Sequence, residues 1–304
     1  LPTVQKLLKK LHQKESFEIV HCRGYITSLV GLYLKEKFNT RFVFDMRAFF
    51  ADERVDGQLW DTDNWVYRQV YEYFKRKETE FLTKADYTIT LTEKAKSIIH
   101  GWEKIPNQPI PIQVIPCCAD LEHFHKKNID SKKKEQFVQE LGIEDGDFIV
   151  SYLGSIGTWY MLDEMLDFFK ALLAEKPNAK FLFITPDEKE FIHSKAAERG
   201  IPIEKILVKY SPREDVPTMI SLSDVSLFFI KPVFSKQGSS PTKHGEILAM
   251  EIPVICNGGV GDLDEIVSNT NSGLLVNEFN EGAYQKAISQ IDDILQKDGS
   301  VFRS

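Results

Sequence analysis

The chain of 304 residues contains 42% hydrophobic and 27% charged residues, fractions that are typical of globular proteins and argue against a disordered, fibrous or membrane-embedded chain. Its length predicts two domains, and no stretch of about 18 uncharged apolar residues is present to span a bilayer. The net charge of −7 disfavours nucleic acid as a general partner.

The charge is divided unevenly along the chain. Residues 1–115 carry 18 basic and 15 acidic side chains, whereas residues 116–304 carry 20 and 30. The difference predicts two units, residues 1–115 and residues 116–304. Four cysteines are too few and too scattered for a disulfide framework or a zinc site. We expect neither a metal nor a cofactor, and the adjacent Cys117 and Cys118 are typical of a reduced, cytoplasmic protein.

Short apolar runs alternate with stretches of helical period along both units. Strands are predicted at 17–22, 41–45, 85–91 and 112–115, and helices at 25–37, 65–83 and 93–100. A charged stretch at 126–134 is interpreted as a linker or as the start of a helix. Further strands are predicted at 147–153, 180–185, 206–209, 225–230 and 253–256, and helices at 161–175, 191–199, 216–222 and 242–250.

The predicted strands are apolar on both faces and separated by helices, a pattern that favours parallel sheets covered on both sides. Two such blocks predict an α/β fold of two doubly wound, Rossmann-like domains that face each other across a cleft. The first block offers about four strands and the second about six. We therefore expect residues 1–115 to form an incomplete domain, which also lacks a glycine-rich first turn.

The segment from Lys231 to Val254 carries the strongest chemical pattern. A predicted strand leads into the small residues Gly238, Ser239 and Ser240, and Pro241 then stands where a helix begins. Such a loop presents backbone N–H groups and the positive end of the helix dipole, which suit a phosphate. Lys243 and Glu246 are close on the first turns of this helix. An ordinary capped helix is the alternative interpretation.

The loop Gly154-Ser155-Ile156-Gly157-Thr158-Trp159-Tyr160 is the second candidate. It follows the first predicted strand of the second unit, at the sheet edge where ligands of doubly wound folds bind. Gly154 and Gly157 permit close approach of an anion to the backbone. A purely structural turn is the alternative.

The residues Ser240-Pro241-Thr242-Lys243-His244-Gly245-Glu246, followed by Ile252-Pro253-Val254-Ile255, resemble the donor-binding signature of glycosyltransferase family 4. Val114-Ile115-Pro116-Cys117-Cys118-Ala119-Asp120-Leu121-Glu122-His123-Phe124 is similar to the interdomain segment of that family, and Phe44-Asp45-Met46-Arg47 with Asp52-Glu53-Arg54 resembles an acceptor-domain motif of a bacterial branch. The resemblance implies the two-domain GT-B fold, a nucleotide-diphosphate-sugar donor, a glycan or lipid-linked acceptor, and transfer with retention without a required metal.

The resemblance also implies roles for individual residues. Glu246 matches the second Glu of the Glu-x7-Glu motif, which grips the donor ribose, whereas Gly238 stands where the first Glu is expected. The diphosphate-binding Arg and Lys of the family are replaced by Ser155, Thr158 and Trp159. Their cation is expected from Lys243, Lys236 or Lys231. Lys209 and Tyr210 match the strand end that faces the nucleotide base, and Thr242 belongs to the donor signature.

In the first unit, His21 and Arg23 match the place of an active-site histidine near the transferred sugar. Which of the two corresponds stays open, and a structural role for His21 is the alternative. Asp45, Arg47 and Glu53 follow a predicted strand and either line the acceptor side or are merely solvated. We take His21, Arg23, Asp45 and Arg47 as the candidate catalytic residues.

Two further questions stay open at this stage. Leu7, Leu8 and Leu11 with neighbouring lysines form a short basic amphipathic stretch, either a peripheral contact with the inner face of the membrane or a surface helix packed on the first domain. The predicted activity is glycosyl transfer in polysaccharide biosynthesis. A sugar-nucleotide epimerase of the same fold and a non-catalytic nucleotide-sugar-binding module are the alternatives.

Overall fold

Two parallel β-sheets organise residues 2–303, which the structure, a computed structural model, describes. The first sheet contains β1 (Ile19–Arg23), β2 (Arg41–Asp45), β3 (Tyr87–Thr90) and β4 (Ile112–Val114). The second contains β5 (Phe148–Leu153), β6 (Ala179–Ile184), β7 (Ile206–Lys209), β8 (Val225–Phe228), β9 (Val254–Cys256) and β10 (Gly273–Leu275). The α/β fold class with parallel sheets is thus confirmed.

Helices follow the strands in alternation. They are α1 (Pro2–Lys14), α2 (Tyr25–Phe38), α3 (Phe50–Asp56), α4 (Trp65–Lys84), α5 (Glu93–His100), α6 (Ser131–Leu141), α7 (Leu162–Glu175), α8 (Lys189–Glu198), α9 (Val216–Ile220), α10 (Thr242–Ala249), α11 (Leu263–Thr270), α12 (Glu281–Ile288) and α13 (Ile291–Leu295). Short 3₁₀ helices occupy Lys126–Asn128, Ile203–Lys205, Arg213–Asp215, Phe234–Gly238 and Gly299–Arg303. Among residues 2–303, no helix has both the length and the apolar character needed to cross a bilayer.

The strand order of the second sheet creates a position suited to ligand binding. The first sheet runs β1-β2-β3-β4, whereas the second runs β10-β9-β8-β5-β6-β7 and reverses its chain order between β5 and β8. These two strands pair in parallel at Val150 and Val225. In doubly wound sheets, ligands bind beyond the carboxyl ends of the strands at such a reversal. The topology therefore directs attention to the residues that follow Leu153 and Phe228.

Buried aromatic rings fasten the helices to each sheet. In the first sheet, Phe44 of β2 contacts Phe81 of α4 with ring centroids 5.2 Å apart. In the second, Phe169 of α7 contacts Phe181 of β6 at 5.2 Å. All four rings are fully buried, and burial of a side chain of this size contributes about 1.5–3 kcal/mol. These contacts make the sheets rigid supports for the loops at their edges.

One face of the first sheet is less covered in the described part of the chain. Along β1, Ile19, His21 and Arg23 are exposed while Cys22 is buried, and Phe42 of β2 is buried as well. Side chains alternate between the two faces of a strand, so His21 and Arg23 lie together on the exposed face. At β1, the sheet thus offers polar groups on one side and a core on the other.

The contacts between residues divide the chain into two units. The first comprises the residues up to 117 together with 233–240 and 259–262, and the second comprises 118–232, 241–258 and the residues from 263 onward. The first long stretch of the first unit ends at Cys117, two residues after the boundary that was expected at residue 115. The acceptor and donor roles of the two units stay predictions.

Most predicted elements agree with the observed bounds. The elements predicted at 41–45, 93–100 and 206–209 coincide with β2, α5 and β7. The other predicted elements begin and end within two residues of the observed bounds. The charged stretch 126–134 contains a 3₁₀ turn and the start of α6. The prediction omitted α3, whose seven residues are too few for a clear helical period, and it did not extend beyond residue 256.

Candidate functional site

A cavity of about 310 Å³ lies beyond the carboxyl ends of β5, β6 and β7. Leu153 is the last residue of β5 and Ile184 the last of β6, and Gly154, Thr185 and Tyr210 directly follow β5, β6 and β7. The remaining lining residues are Phe124, Pro186, Ser211, Arg213, Val216, Lys243 and Glu246. Four residues predicted as donor-binding, Gly154, Tyr210, Lys243 and Glu246, therefore meet at one cavity.

The amine of Lys243 occupies a defined position in this cavity. Its Nζ lies 3.6 Å from the ring centroid of Tyr160 and 4.2 Å from that of Tyr152. It also donates a hydrogen bond to Tyr152 Oη at 3.1 Å. A Cβ atom at Gly154 would come within 3.2 Å of Nζ, and the φ angle of +103° at this residue suits glycine. The absence of a side chain at Gly154 keeps the amine close to the backbone of the loop.

Burial sets the ionisation of Lys243. Removal from water lowers the pKa of the amine to about 7, although the nearby carboxylates of Glu246 and Asp187 oppose this shift. Desolvation disfavours the charged form of a lysine, and an added anion restores it. Lys243 is therefore a group whose charge near neutral pH depends on what binds beside it.

Glu246 lies one helical turn after Lys243 on α10 and meets a cation from another element. Arg213 Nη1 lies 3.3 Å from Glu246 Oε1. The guanidinium also lies over the ring of Phe124, 5.4 Å from its centroid. The backbone of Arg213 is held as well, because its C=O bonds to His123 Nε2 at 2.8 Å. Arg213 and Phe124 thus form a wall of the cavity beside the carboxylate.

The loop that begins at Gly154 is anchored by Asp187, which follows β6. Ile156 N–H and the Ser155 hydroxyl donate to the Asp187 carboxylate at 2.6 and 3.0 Å, and the Thr185 hydroxyl donates to it at 2.6 Å. Burial raises the pKa of Asp187, but these hydrogen bonds and the charge of Lys243 together lower it below the ordinary value. Two donors of the loop are therefore already engaged by a carboxylate of the chain.

Other predicted donor-binding residues do not line the cavity in the described part of the chain. Gly157 and Thr158 are exposed in the loop, and Thr242 is exposed at the start of α10. Lys209 Nζ pairs with Glu140 Oε2 at 2.7 Å, so the charged end of Lys209 contacts α6 and not the cavity. Ser155 is likewise outside the lining, with its hydroxyl bonded to Asp187.

The small residues 238–240 belong to the first unit. Gly238 is buried, and a Cβ there would lie 3.3 Å from the Phe49 ring. Ser239 N–H donates to the Lys236 C=O at 3.0 Å, and Ser240 Oγ accepts from Cys117 N–H at 3.2 Å. Little room therefore remains for the carboxylate side chain that the family motif has at position 238.

The candidate catalytic residues lie at the carboxyl ends of β1 and β2. His21 Nε2 lies 3.5 Å from Asp45 Oδ2, and Arg23 pairs with Asp45 in the sheet register. Asp45 is buried, and its Oδ1 has no hydrogen-bond partner in the described part of the chain. Arg47 has a positive φ of 65° and donates to Cys117 Sγ at 3.6 Å. The structure brings His21 and Asp45 together, whereas Arg47 contacts Cys117.

The acidic residues that follow β2 have partners within the first unit. Asp52 accepts from the Tyr71 hydroxyl at 2.9 Å and from Lys75 Nζ at 2.7 Å. Glu53 pairs at 2.8 Å with Lys236, a residue named above as a candidate phosphate ligand. Within residues 2–303, no group of three or more His, Cys, Asp or Glu side chains is arranged to hold a metal ion.

Several residues that line the cavity or contact its lining residues were not predicted. Arg213 and Asp187 each follow a predicted strand within four residues, so their place at the carboxyl edge was a usable signal. Phe124 stood in the segment that is similar to the interdomain segment of the family, and Tyr160 ends the loop that was named as the second candidate, where no role was predicted for it. Tyr152 lies inside β5, where no local pattern distinguishes it from a core residue.

Comparisons with known proteins agree with this fold. The sequence profile of the family "Glycosyl transferases group 1" matches residues 133–295. No curated protein sequence matches the chain significantly. Sucrose-phosphate synthase from Thermosynechococcus elongatus is similar to the chain with a TM-score of 0.70 and 19% identity, and the match covers 100% of this chain and 70% of that one. A glycosyltransferase from Rickettsia africae ESF-5 is similar with a TM-score of 0.71 and 17% identity, and the match covers 98% of this chain and 72% of that one. Anabaena HepE in complex with UDP and glucose is similar with a TM-score of 0.69 and 14% identity, and the match covers 99% of this chain and 74% of that one. At such identities, the structural similarity establishes the fold.

Proposed function

The chain belongs to the glycosyl transferases of group 1, and on this premise we propose that it is a retaining enzyme that moves a sugar from a nucleotide-diphosphate-sugar to a glycan or lipid-linked acceptor. One observation carries the proposal. Lys243 and Glu246, one helical turn apart on α10, line the same cavity at the carboxyl edge of the second sheet. A cation and a carboxylate at this spacing suit the diphosphate and the ribose of such a donor.

In this proposal the second unit binds the donor. The N-cap residue of α10, Pro241, provides no side-chain hydrogen bond to the helix, so the first backbone N–H groups and the helix dipole favour an anion beside Lys243. Glu246 accepts hydrogen bonds from the ribose hydroxyls. Tyr210, which is 65% exposed at the end of β7, lies where the nucleotide base is expected. The structure of Anabaena HepE is a complex with UDP and glucose, which supports a uridine nucleotide as the first donor to test.

The chemical step follows from the charge that develops on the donor. When the sugar leaves, negative charge builds on the departing phosphate, and a preorganised cation stabilises that charge by a few kcal/mol. Lys243 is the group proposed for this role. The resemblance to glycosyltransferase family 4 implies retention, so in this proposal the acceptor attacks from the face that the phosphate leaves, and the departing phosphate takes the proton of the acceptor hydroxyl.

The donor sugar is then held without the first Glu of the family motif. Gly238 stands at that position, and Phe49 and Ala48 lie 3.3 and 3.4 Å from where its Cβ would be. In this proposal, other groups therefore make the contacts that the family motif assigns to that carboxylate.

The first unit is proposed to bind the acceptor. Oδ1 of Asp45 has no hydrogen-bond partner within residues 2–303 and is suited to accept a hydrogen bond from a sugar hydroxyl, and His21 lies beside the same carboxylate. A buried polar oxygen without a partner costs about 1–3 kcal/mol, which a bound hydroxyl recovers.

Helix α1 supports a proposal of peripheral membrane contact on the inner face. Val4, Leu7 and Leu11 are exposed at helical spacing, and Lys6, Lys9, Lys10 and Lys14 are on the same helix. Basic amphipathic helices bind anionic lipid surfaces. Co-sedimentation with vesicles of phosphatidylglycerol and of phosphatidylcholine tests this contact: equal recovery with both lipids would contradict it.

Donor binding and turnover test the proposed function. UDP, GDP, ADP and dTDP are first compared by thermal shift, because a ligand that binds only the folded state raises Tm. The corresponding nucleotide sugars are then incubated with and without glycan or lipid-linked acceptors. Sugar transfer supports the proposal. A product with an altered sugar and no transfer would identify an epimerase, and binding without transfer or hydrolysis would identify a non-catalytic module, an outcome that the missing Glu at position 238 makes worth testing.

A further inference from the structure

The amine of Lys243 is bounded by two tyrosine rings, which we call the tyrosine clamp (Tyr152 and Tyr160). Nζ lies 4.2 Å and 3.6 Å from the two ring centroids, well inside the range of about 6 Å for a cation–π contact. The rings meet edge to face, with centroids 5.6 Å apart and an interplanar angle of 74°. The two rings of the clamp therefore restrict movement of the Lys243 amine towards Tyr152 and towards Tyr160.

The hydroxyl of Tyr152 adds a third restraint. It donates its proton to the Ser155 C=O at 2.8 Å, so its oxygen lone pairs are directed to other donors. Lys243 Nζ donates to this oxygen at 3.1 Å. The remaining N–H groups of the ammonium have no partner among the described residues.

No carboxylate within residues 2–303 lies within 4.0 Å of Lys243 Nζ. The charged groups that face it are occupied elsewhere: Glu246 on α10 pairs with Arg213 at 3.3 Å, and Asp187 after β6 accepts from Thr185, Ser155 and Ile156. Both carboxylates act on Lys243 only through longer-range attraction. A largely buried lysine is thus held by rings and a hydroxyl where an ion pair is the common arrangement.

The clamp residues themselves stay neutral. Burial raises the pKa of Tyr160 to about 12 and raises that of Tyr152 further. A neutral ring attracts a cation through its negative face, and it cannot neutralise the cation as a carboxylate would. The positive charge of Lys243 is therefore stabilised without being cancelled.

We propose that Tyr160 and Tyr152 are positioning residues, which hold the Lys243 ammonium by cation–π contacts in place of a carboxylate partner and so keep it available to the diphosphate of the donor. This inference rests on the proposed function for the identity of the anion. It has a second consequence. Since the pKa of Lys243 lies at about 7 and a bound anion favours the charged form, diphosphate binding takes up a proton from solution above pH 7.

Replacement of Tyr160 tests the clamp directly on the ionisation of Lys243, before any ligand is added. The 13Cε shift of Lys243 is followed from pH 5.5 to 10 in lysine-labelled protein, with Lys243→Met to identify its signal. A cation–π contact of about 0.5–2 kcal/mol corresponds to a fall of about 0.4–1.5 pH units in the pKa of Lys243 in Tyr160→Leu. Tyr160→Phe keeps the ring and is expected to retain the pKa of the unmodified protein. An unchanged or raised pKa in Tyr160→Leu overturns the proposal.

Fluorinated phenylalanines at position 160 give a version of the test that preserves shape and folding. Each added fluorine weakens the negative face of the ring, so the pKa of Lys243 is expected to fall stepwise from Phe through monofluoro- to trifluoro-Phe. A pKa that does not vary along the series contradicts the clamp even if Tyr160→Leu fails to fold.

Calorimetry with UDP then connects the clamp to donor binding. In two buffers of different ionisation enthalpy at pH 7.5–8.5, UDP binding is expected to take up a proton, and UDP affinity to fall about 2- to 30-fold in Tyr160→Leu. Affinity for uridine, which has no phosphate, should not change. If UDP does not bind, GDP, ADP and dTDP replace it. Failure of all four would contradict the proposed donor site, while the titration of Lys243 decides the clamp independently.

Discussion

Arg213 Nη1 lies 3.3 Å from Glu246 Oε1, and the two partners differ sharply in exposure: the Arg213 side chain is 64% exposed and that of Glu246 only 13%. The carboxylate is therefore largely buried on α10, whereas the guanidinium approaches it from the solvent-exposed side. A pair with one exposed member contributes about 0.2–1 kcal/mol. A ribose whose hydroxyls bond to the Glu246 carboxylate therefore displaces Arg213 at a small cost in binding free energy.

This asymmetry predicts opposite effects of substitution at the two positions. Glu246→Gln is expected to weaken UDP and uridine binding alike, by about 10- to 150-fold, because it removes charged hydrogen bonds to the ribose. Arg213→Met removes only a competitor and should tighten binding, by at most about 5-fold. Isothermal titration of both ligands measures the two effects. Weaker UDP binding in Arg213→Met, with uridine unchanged, would instead show that Arg213 contacts the diphosphate.

Lys243→Met should separate the diphosphate from the nucleoside. Loss of a charge-assisted contact is expected to weaken UDP binding by about 10- to 150-fold and to leave uridine binding unchanged. Lys195→Met is the matched control, because Lys195 on α8 pairs with Glu198 and lies outside the cavity lining. Calorimetry on both variants is the measurement. Equal losses for UDP and uridine would argue against a phosphate role for Lys243.

Asp45→Asn should impair transfer without affecting the donor. Asp45 Oδ1 is buried and has no partner within the described residues, so its proposed partner is an acceptor hydroxyl. Loss of a hydrogen bond to a charged group predicts a fall of about 10- to 150-fold in kcat/KM for the acceptor. Glu103→Gln, an exposed carboxylate of the same unit, is the control. A matching loss of UDP affinity in Asp45→Asn would point to a structural role.

His244 makes the folded state sensitive to acid. Its ring is buried, and burial lowers the pKa of the imidazole from 6.5 to about 4. The unfolded chain binds the proton more readily between these values, so the free energy of unfolding falls as pH drops from 6.5 to 4. The expected loss from His244 is about 1.5 kcal/mol between pH 6.5 and 5.

Urea denaturation across this range measures the effect. His244→Leu removes the titrating ring from its contact with Phe228 and should show a smaller loss of stability between pH 6.5 and 5 than the unmodified protein. Parallel pH profiles for the two proteins would remove His244 as the source of the acid sensitivity.

The sequence by itself determined the elements and part of the site, because these depend on neighbours along the chain. The apolar run 206–209 predicted β7, and the spacing of Lys243 and Glu246 placed both on the first turns of α10. A loop after a predicted strand also pointed to Gly154. Each of these signals is local: hydrophobic period, helix start or strand end.

Only the tertiary structure decided which groups surround Lys243 and Glu246. Tyr152 contacts an amine 91 positions later in the chain, and Arg213 reaches Glu246 across 33 positions. Asp187 occupies loop donors that the glycine pattern had suggested for phosphate. Strand order brings these segments together, and the reversal between β5 and β8 has no signature in any single stretch of residues, since it arises from how whole strands pair.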